Sequence, residues 1–244
     1  WDIFQQKYAH SKSESWAGAA NRVATNVMSA LDYSAESDET ACIERYIRER
    51  KFIPGGRYLY AAGRPLHQIS NCLLLRAEDS REGWGNLWQR AGMSLMTGAG
   101  IGVEYSRIRG TGSTISRTGG LASGPCALMH TVNEIGRQVM QGGSRRSAIW
   151  AGLAWDHPDI ETFLRIKDWP PELRALRDRE PTWPAPMELT NVSIRLDERF
   201  FEAISSSAHI DHQRAADLYR DAIRRMCRTG EPGFSVDMGA DTDE

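Results

Sequence analysis

Two hydrophobic periods alternate along this chain, and that alternation restricts its fold more than any other feature. Ile101, Val103 and Tyr105 recur every second residue, as in a strand with one buried face, and so do Ile149, Ala151, Leu153 and Trp155. Trp84, Leu87, Trp88, Ala91 and Leu95 precede the first run at helical spacing. Leu128, Val132, Ile135 and Val139 separate the two runs in the same way. A helical crossover brings the next strand back in the same direction, so the pattern predicts an α/β fold with parallel strand pairs.

The rest of the chain extends the pattern. Trp16, Ala20, Val23, Val27 and Leu31 form one helical stripe, with Ser13 or Ser15 as its cap, and a second helix is predicted around 38–50. Residues 1–52 therefore read as an N-terminal helical region, and 53–244 as the α/β part. Pro54-Gly55-Gly56-Arg57 is a turn, followed by predicted strands at Tyr58–Ala62 and Ile69–Leu75. Gly98 stops the helix before the 101–105 strand, and Ser123 with Pro125 starts the next helix. Pro158 opens a short helix with Ile160, Phe163 and Leu164 inward. Five prolines and many charges over 169–187 predict an irregular surface excursion. Leu189, Val192 and Ile194 suggest a strand, Phe200, Phe201 and Ile204 a helix, and Ala215, Tyr219, Ala222 and Met226 a last helix ended by Gly230. Phe234–Val236 reads as one more strand.

Charge and cysteine usage exclude several classes. The 244 residues carry 30 basic and 32 acidic side chains, a net charge of -2, which argues against broad nonspecific nucleic-acid binding. No run of about 18 apolar residues is present to span a membrane. The start Trp1-Asp2-Ile3-Phe4 shows no signal peptide. Cys42, Cys72, Cys126 and Cys227 are too scattered for a disulfide scaffold or a zinc site, so a reducing, cytoplasmic setting is expected and no metal is assigned.

Two polar loops are the first candidates for chemistry. Residues 109–124 hold five glycines with Arg109 and Arg117, and 142–146 read Gly142-Gly143-Ser144-Arg145-Arg146. Glycines admit close backbone approach and guanidinium groups pair phosphate, but an ordinary flexible surface loop explains the same composition. Gly98-Ala99-Gly100-Ile101-Gly102 precedes a strand rather than following one, so it is no dinucleotide fingerprint. Cys72 and Cys227, in apolar or helical surroundings, read as buried and inert. Cys126 stands at a helix start, where the dipole can lower a thiol pKa, yet a structural role is the simpler reading. His157, before Pro158, reads as a cap or surface residue rather than a base.

Six motifs then occur in one order. They are Pro54-Gly-Gly-Arg-Tyr-Leu-Tyr-Ala-Ala-Gly-Arg-Pro65, Asn71-Cys72, Thr97-Gly-Ala-Gly-Ile-Gly-Val-Glu-Tyr-Ser-Arg-Ile-Arg109, Ala122-Ser-Gly-Pro125, Gln141-Gly-Gly-Ser-Arg-Arg146 and His157-Pro-Asp-Ile-Glu-Thr-Phe163. Together they resemble the catalytic large chain of ribonucleotide reductase over roughly residues 50–240. The resemblance implies a ten-stranded α/β barrel of two parallel five-stranded halves, of which this chain supplies the N-terminal helices and about the first half. It also implies reduction of ribonucleotides to deoxyribonucleotides by a cysteine thiyl radical, under allosteric control by a dNTP or ATP effector.

By the same resemblance, Cys72 matches one cysteine of the reducing pair and Asn71 its substrate-side neighbour. Asp79, Arg109 and, less directly, Arg117 match effector-binding residues in the first specificity loop. Gly142, Gly143, Ser144, Arg145 and Arg146 match the second specificity loop, with Arg145 toward substrate. The implied partners are a ribonucleotide substrate, a thioredoxin-like reductant, and a C-terminal half or a small subunit; no direct nucleic-acid or membrane contact is expected. Ser123-Gly124-Pro125, Arg145-Arg146 and His157-Pro158-Asp159-Ile160 look most like the adenosylcobalamin-dependent class. Some phage enzymes with similar large chains instead take their radical from a metal-containing small subunit. The radical cysteine's Asn-x-Cys-x-Glu motif, the second reducing cysteine and the N-terminal ATP cone are not in this sequence, so the chain alone is expected to be inactive. A nucleotide-binding regulatory or assembly fragment, and a different α/β-barrel enzyme with a phosphate-gripping loop, are the alternatives.

Overall fold

The computed structural model describes residues 2–65, 68–117, 119–139 and 147–239. They fall into two compact units, Trp1–Cys72 and Leu73–Glu244. The first unit is helical: α1 (Asp2–Lys7), α2 (Trp16–Ser29), α3 (Asp38–Arg48) and α4 (Gly56–Ala61). Ser15 caps α2 by accepting from the Gly18 amide, and Ser37 caps α3 by accepting from the Thr40 amide. Ala20, Val23, Ile47, Leu59 and Ala62 form its core. Arg22 clasps the unit, bonding Glu14 at 2.7 Å and the carbonyls of Ala62 and Leu59 at 2.8 and 3.1 Å.

The strand expected at Tyr58–Ala62 is helix α4 instead. A short apolar run does not reveal its period, and here Leu59, Ala61 and Ala62 bury together in helical geometry. The next predicted strand starts later than expected: β1 runs from Cys72 to Arg76, and the Asn71 side chain just before it accepts the Arg57 amide.

The second unit continues with α5 (Arg81–Met96), β2 (Gly100–Glu104), α6 (Gly124–Gln138), β3 (Ile149–Ala154), α7 (Ile160–Leu164), α8 (Pro171–Arg179), β4 (Thr190–Asp197), α9 (Glu198–Ser205), α10 (His212–Thr229) and β5 (Gly233–Asp237). The sheet order is β1-β2-β3-β4-β5, and β2 through β5 pair in parallel. Val103 pairs with Ala151, Ala151 with Val192, and Ile194 with Phe234, so apolar residues share one face. That face packs on Leu87, Leu95, Leu128, Val132, Phe200 and Ala215 from the crossover helices. Helix α8 departs from the irregular excursion expected at 169–187: prolines in a first helical turn lose no hydrogen bond, so Pro170-Pro171 start a helix. None of its residues is buried, which is why no apolar stripe announces it.

The opposite sheet face has a different character. Its alternating positions are Gly102 and Glu104 in β2, Trp150, Gly152 and Ala154 in β3, Ser193 and Arg195 in β4, and Ser235 and Asp237 in β5. The Trp150 indole N–H donates to Ser193 Oγ at 2.9 Å.

Candidate functional site

The loop between β2 and α6 carries Arg109 and Arg117, and its glycine content predicts flexibility. The structure shows a hairpin instead. Thr114 and Leu121 form an antiparallel bridge, and the Ile115 and Ala122 amides donate to Gly120 and Ser113 at 2.8 Å each. Asp159, just ahead of α7, anchors its base. Asp159 is 8% exposed, and its carboxylate accepts the Thr111 amide at 3.0 and 3.1 Å and the Thr111 hydroxyl at 2.8 Å. Gly124 sits against this knot with φ at 75°. A Cβ there would lie 2.2 Å from Thr111 Oγ1 and 2.4 Å from Asp159 Oδ2, so only glycine fits.

His157 belongs to the same anchor and is buried, which corrects the surface reading. Its Nδ1 accepts the Asp159 amide at 3.0 Å, which leaves Nε2 to donate to the Ile108 carbonyl at 2.7 Å. Cys126 lies at the start of α6, but burial pushes its thiol up to about 12, and the Asp159 carboxylate adds to the effect. Burial thus works against the thiolate that a helix start would favour. Cys227, expected inside, is exposed.

A cleft of about 450 Å³ opens beside the hairpin. Asp79, Ser80, Arg81, Arg109 and Ser123 supply its polar lining, and Trp84, Trp88, Ile108 and Ile115 its apolar lining. Asp79 and Arg109 come from 30 residues apart, and Arg109 Nε donates to Asp79 Oδ2 at 2.6 Å. Arg109 Nη1 also reaches the Thr114 carbonyl at 3.3 Å. Trp84 and Trp88 meet edge to face at 6.2 Å, and the Trp88 indole N–H donates to Thr131 Oγ1 at 2.9 Å. Sequence spacing assigns both tryptophans to the core, yet Trp88 is 38% exposed and both line the cleft. Their position one and two turns into the helix that begins beside Asp79 is the signal that spacing alone overlooks.

The other candidates are dispersed. Arg117 is exposed at the hairpin turn and is not among the described residues lining the cleft. Cys72 opens β1 with its side exposed, against the expectation of a buried thiol, and Leu74 and Arg76 share that exposure. Asn71 Oδ1 accepts the Arg57 amide at 3.2 Å within the helical unit. Residues Gly142, Gly143, Ser144, Arg145 and Arg146 lie outside the described residues. Among the described residues, no group of three His, Cys, Asp or Glu side chains is placed to hold a metal ion, and no helix is long and apolar enough to cross a membrane.

On the polar sheet face, Arg195 Nε donates to Asp237 Oδ2 at 3.0 Å, and its Nη1 lies 4.0 Å from Glu104 Oε2. The Arg195 hydrogen bond holds the Asp237 carboxyl below its ordinary range. Glu104 in turn accepts the Ser106 amide at 2.7 Å, at the root of the hairpin loop.

Known proteins bear on this arrangement. The family described as the ribonucleotide reductase barrel domain matches residues 70–227. A vitamin B12-dependent ribonucleoside-diphosphate reductase of Mycobacterium tuberculosis is 30% identical over 238 residues, covering 91% of this chain and 32% of that protein. One from Thermoplasma acidophilum is 26% identical over 202 residues, covering 78% of this chain and 25% of its own. The ribonucleoside-diphosphate reductase large subunit of vaccinia virus is 35% identical over 135 residues, 53% of this chain and 17% of the viral one. The solved class Id ribonucleotide reductase alpha subunit of Actinobacillus ureae shares the fold, with a TM-score of 0.74 at 15% identity over 95% of this chain and 39% of that one. The chain thus spans between about a sixth and a third of the length of these curated relatives. The family match covers more than half of the chain, and on that ground the chain belongs to the ribonucleotide reductase family and carries part of its barrel domain.

Proposed function

We propose that this chain is the effector-binding part of a ribonucleotide reductase catalytic chain, acting in the cytoplasm in deoxyribonucleotide synthesis. The Asp79–Arg109 pair, at the wall of a cleft that also presents Trp84, Trp88, Ile108 and Ile115, carries the reading. A guanidinium takes phosphate oxygens, a carboxylate accepts a sugar hydroxyl, and flat apolar walls receive a base. A dNTP or ATP has all three parts.

The exposed Cys72 supports a reducing role. In that role, Cys72 and a second cysteine outside this sequence are oxidised to a disulfide as the substrate's 2′-hydroxyl leaves as water. A thioredoxin-like reductant restores the dithiol. The polar sheet face supports a barrel interior, since parallel sheets are ordinarily covered on both faces. The B12-dependent relatives favour adenosylcobalamin as the source of the thiyl radical; a metal-containing small subunit, as in some phage systems, is the other source. None of the described residues is assigned to hold either group.

Thermal-shift titration with the four dNTPs tests the effector site: a rise in melting temperature with at least one is expected, and none with any sinks the reading. Mixing with a chain that carries the Asn-x-Cys-x-Glu segment separates a split catalytic chain from a purely regulatory or assembly fragment. Restored ribonucleotide reduction supports the first, and nucleotide binding without activity the second.

A further inference from the structure

We infer that a second cavity of this chain is a binding site for a phosphate monoester carried on an apolar body. It measures about 880 Å³ and lies at the sheet edge where β3, β4 and β5 begin. The segment between α7 and α8, α8 itself, the approach to β4 and the last turn of α10 frame it. The cleft beside Arg109 gathers residues that follow β1 and β2 at the opposite edge, and the two linings have no residue in common. Small-molecule sites ordinarily occupy about 300–1,000 Å³, and this cavity falls in that range.

Five cations and four carboxylates line the cavity, and most of them neutralise one another. Lys167 holds Glu231 at 2.8 Å, and Arg225 holds Asp168 at 2.7 Å. Glu188 is shared by Arg177 and Arg137 at 2.5 and 3.0 Å. Two guanidinium groups are left over. Arg174 uses its Nε on the Trp169 carbonyl at 3.2 Å, and neither of its Nη groups has a partner among the described residues. Arg228 comes no nearer than 3.8 Å to a carboxylate oxygen, and that carboxylate already serves Arg225. Against them stands Asp178, the one lining carboxylate without an ion pair among the described residues, so two free positive charges less one negative leave a surplus of one. A planar fork with open N–H groups takes two phosphate oxygens at once. A divalent cation is disfavoured, since the other three carboxylates are committed to arginine or lysine. Both free arginines are exposed, so charge alone binds a bare anion weakly. The apolar lining supplies the rest, through Ile166, Trp169, Pro181, Leu189 and Val192. The Trp169 ring is fixed, with its indole N–H on the Pro186 carbonyl at 3.2 Å and the Arg177 guanidinium 5.4 Å from its centre. An apolar group attached to the phosphate covers this wall and gains by leaving water.

Calorimetric titration of this chain with phenyl phosphate, inorganic phosphate and benzoate tests the site. Phenyl phosphate is expected to bind about tenfold tighter than either of the others. Arg174→Gln and Arg228→Gln are each expected to weaken it several-fold, and the double variant to abolish measurable binding. Arg109→Gln, in the other cleft, is expected to leave it unchanged. A wild type that does not bind phenyl phosphate overturns the inference. So does inorganic phosphate binding as tightly, which removes the apolar body, or benzoate binding as tightly, which removes the phosphate. Binding that survives the double variant, or that Arg109→Gln removes, places the anion elsewhere, and the inference falls. Circular dichroism reports whether the variants are folded. Arg174→Lys and Arg228→Lys, which keep the charge and lose the fork, replace any that are not, and weaker binding of phenyl phosphate is still required of them.

Discussion

Replacing Asp159 by alanine is expected to weaken both the fold and the nucleotide site, although Asp159 does not line the cleft. The substitution removes an acceptor of three hydrogen bonds, all from Thr111. Bonds to a charged group contribute about 1.5–3 kcal/mol each when counted singly. These three share one donor residue and one carboxylate, so they do not add. Thr111 is itself exposed, and water can satisfy part of what it loses. A net loss of about 2–3 kcal/mol follows, which for a chain of this size corresponds to a fall in melting temperature of roughly 5–10 °C.

The second consequence is positional. Thr111 is two residues from Arg109, and releasing it frees the hairpin base that aims the guanidinium. A misplaced charge-assisted contact costs about tenfold in affinity. The assay pairs a thermal melt with a dNTP titration at a temperature where the variant remains folded. A drop under about 2 °C refutes the energetic argument. A large drop with unchanged dNTP affinity refutes the positional one, because Asp159 would then support the fold without setting the loop.

Gly124→Ala places a methyl group 2.2 Å from Thr111 Oγ1 at a φ of 75°, and a loss of about 2–4 kcal/mol in urea unfolding is expected. Arg22→Met removes hydrogen bonds to Glu14 and to the Ala62 and Leu59 carbonyls, so faster proteolysis within 1–72 and a loss of about 2 kcal/mol are expected. Burial alone would raise the Glu14 pKa, but the Arg22 hydrogen bonds and charge and the His10 amide hold it below its ordinary 4.5. A lowered carboxyl stabilises the fold above that ordinary value and loses its contribution as pH falls through the lower folded value, so acidification from pH 5 to 3 should cost the wild type more than Arg22→Met. Cys72→Ser should leave dNTP binding by this chain intact and abolish dithiol-driven multiple turnover in a complete catalytic chain, measured as deoxyribonucleotide per enzyme.

Local signals carried the α/β alternation because each crossover helix and each parallel strand writes its own period: Leu128 to Val139 and Ile149 to Leu153 are legible without any partner. Caps are local too, and Ser15 behaves as its position suggests. Helix α4 was not legible, since six residues hold too few repeats to separate the two periods. Nor was α8, whose stability does not depend on a buried stripe. Within the site, the family motifs pointed to Asp79 and Arg109, which the structure brings together. They gave no sign of what fixes the loop between β2 and α6. Asp159 and Thr111 are 48 residues apart, and no pattern in one segment names its partner in the other. The same distance hid the surroundings of Cys126, whose thiol is raised by burial first and by the Asp159 charge second.

The polar sheet face shows the same limit from another side. Read along one strand, Arg195 in β4 looks like an ordinary residue pointing to solvent. Across strands it sits between Glu104 at the end of β2 and Asp237 at the end of β5. At the paired positions between them, the intervening strand carries only Gly152 and Ala154. Charges bound for open water gain little from such alignment, since exposed pairs contribute at most about 1 kcal/mol. Charges destined to be covered must be partnered before water leaves, or the cover costs several kcal/mol per ion. On the reading proposed above, this polar face, with its arginine matched to carboxylates, is the one that turns to the barrel interior.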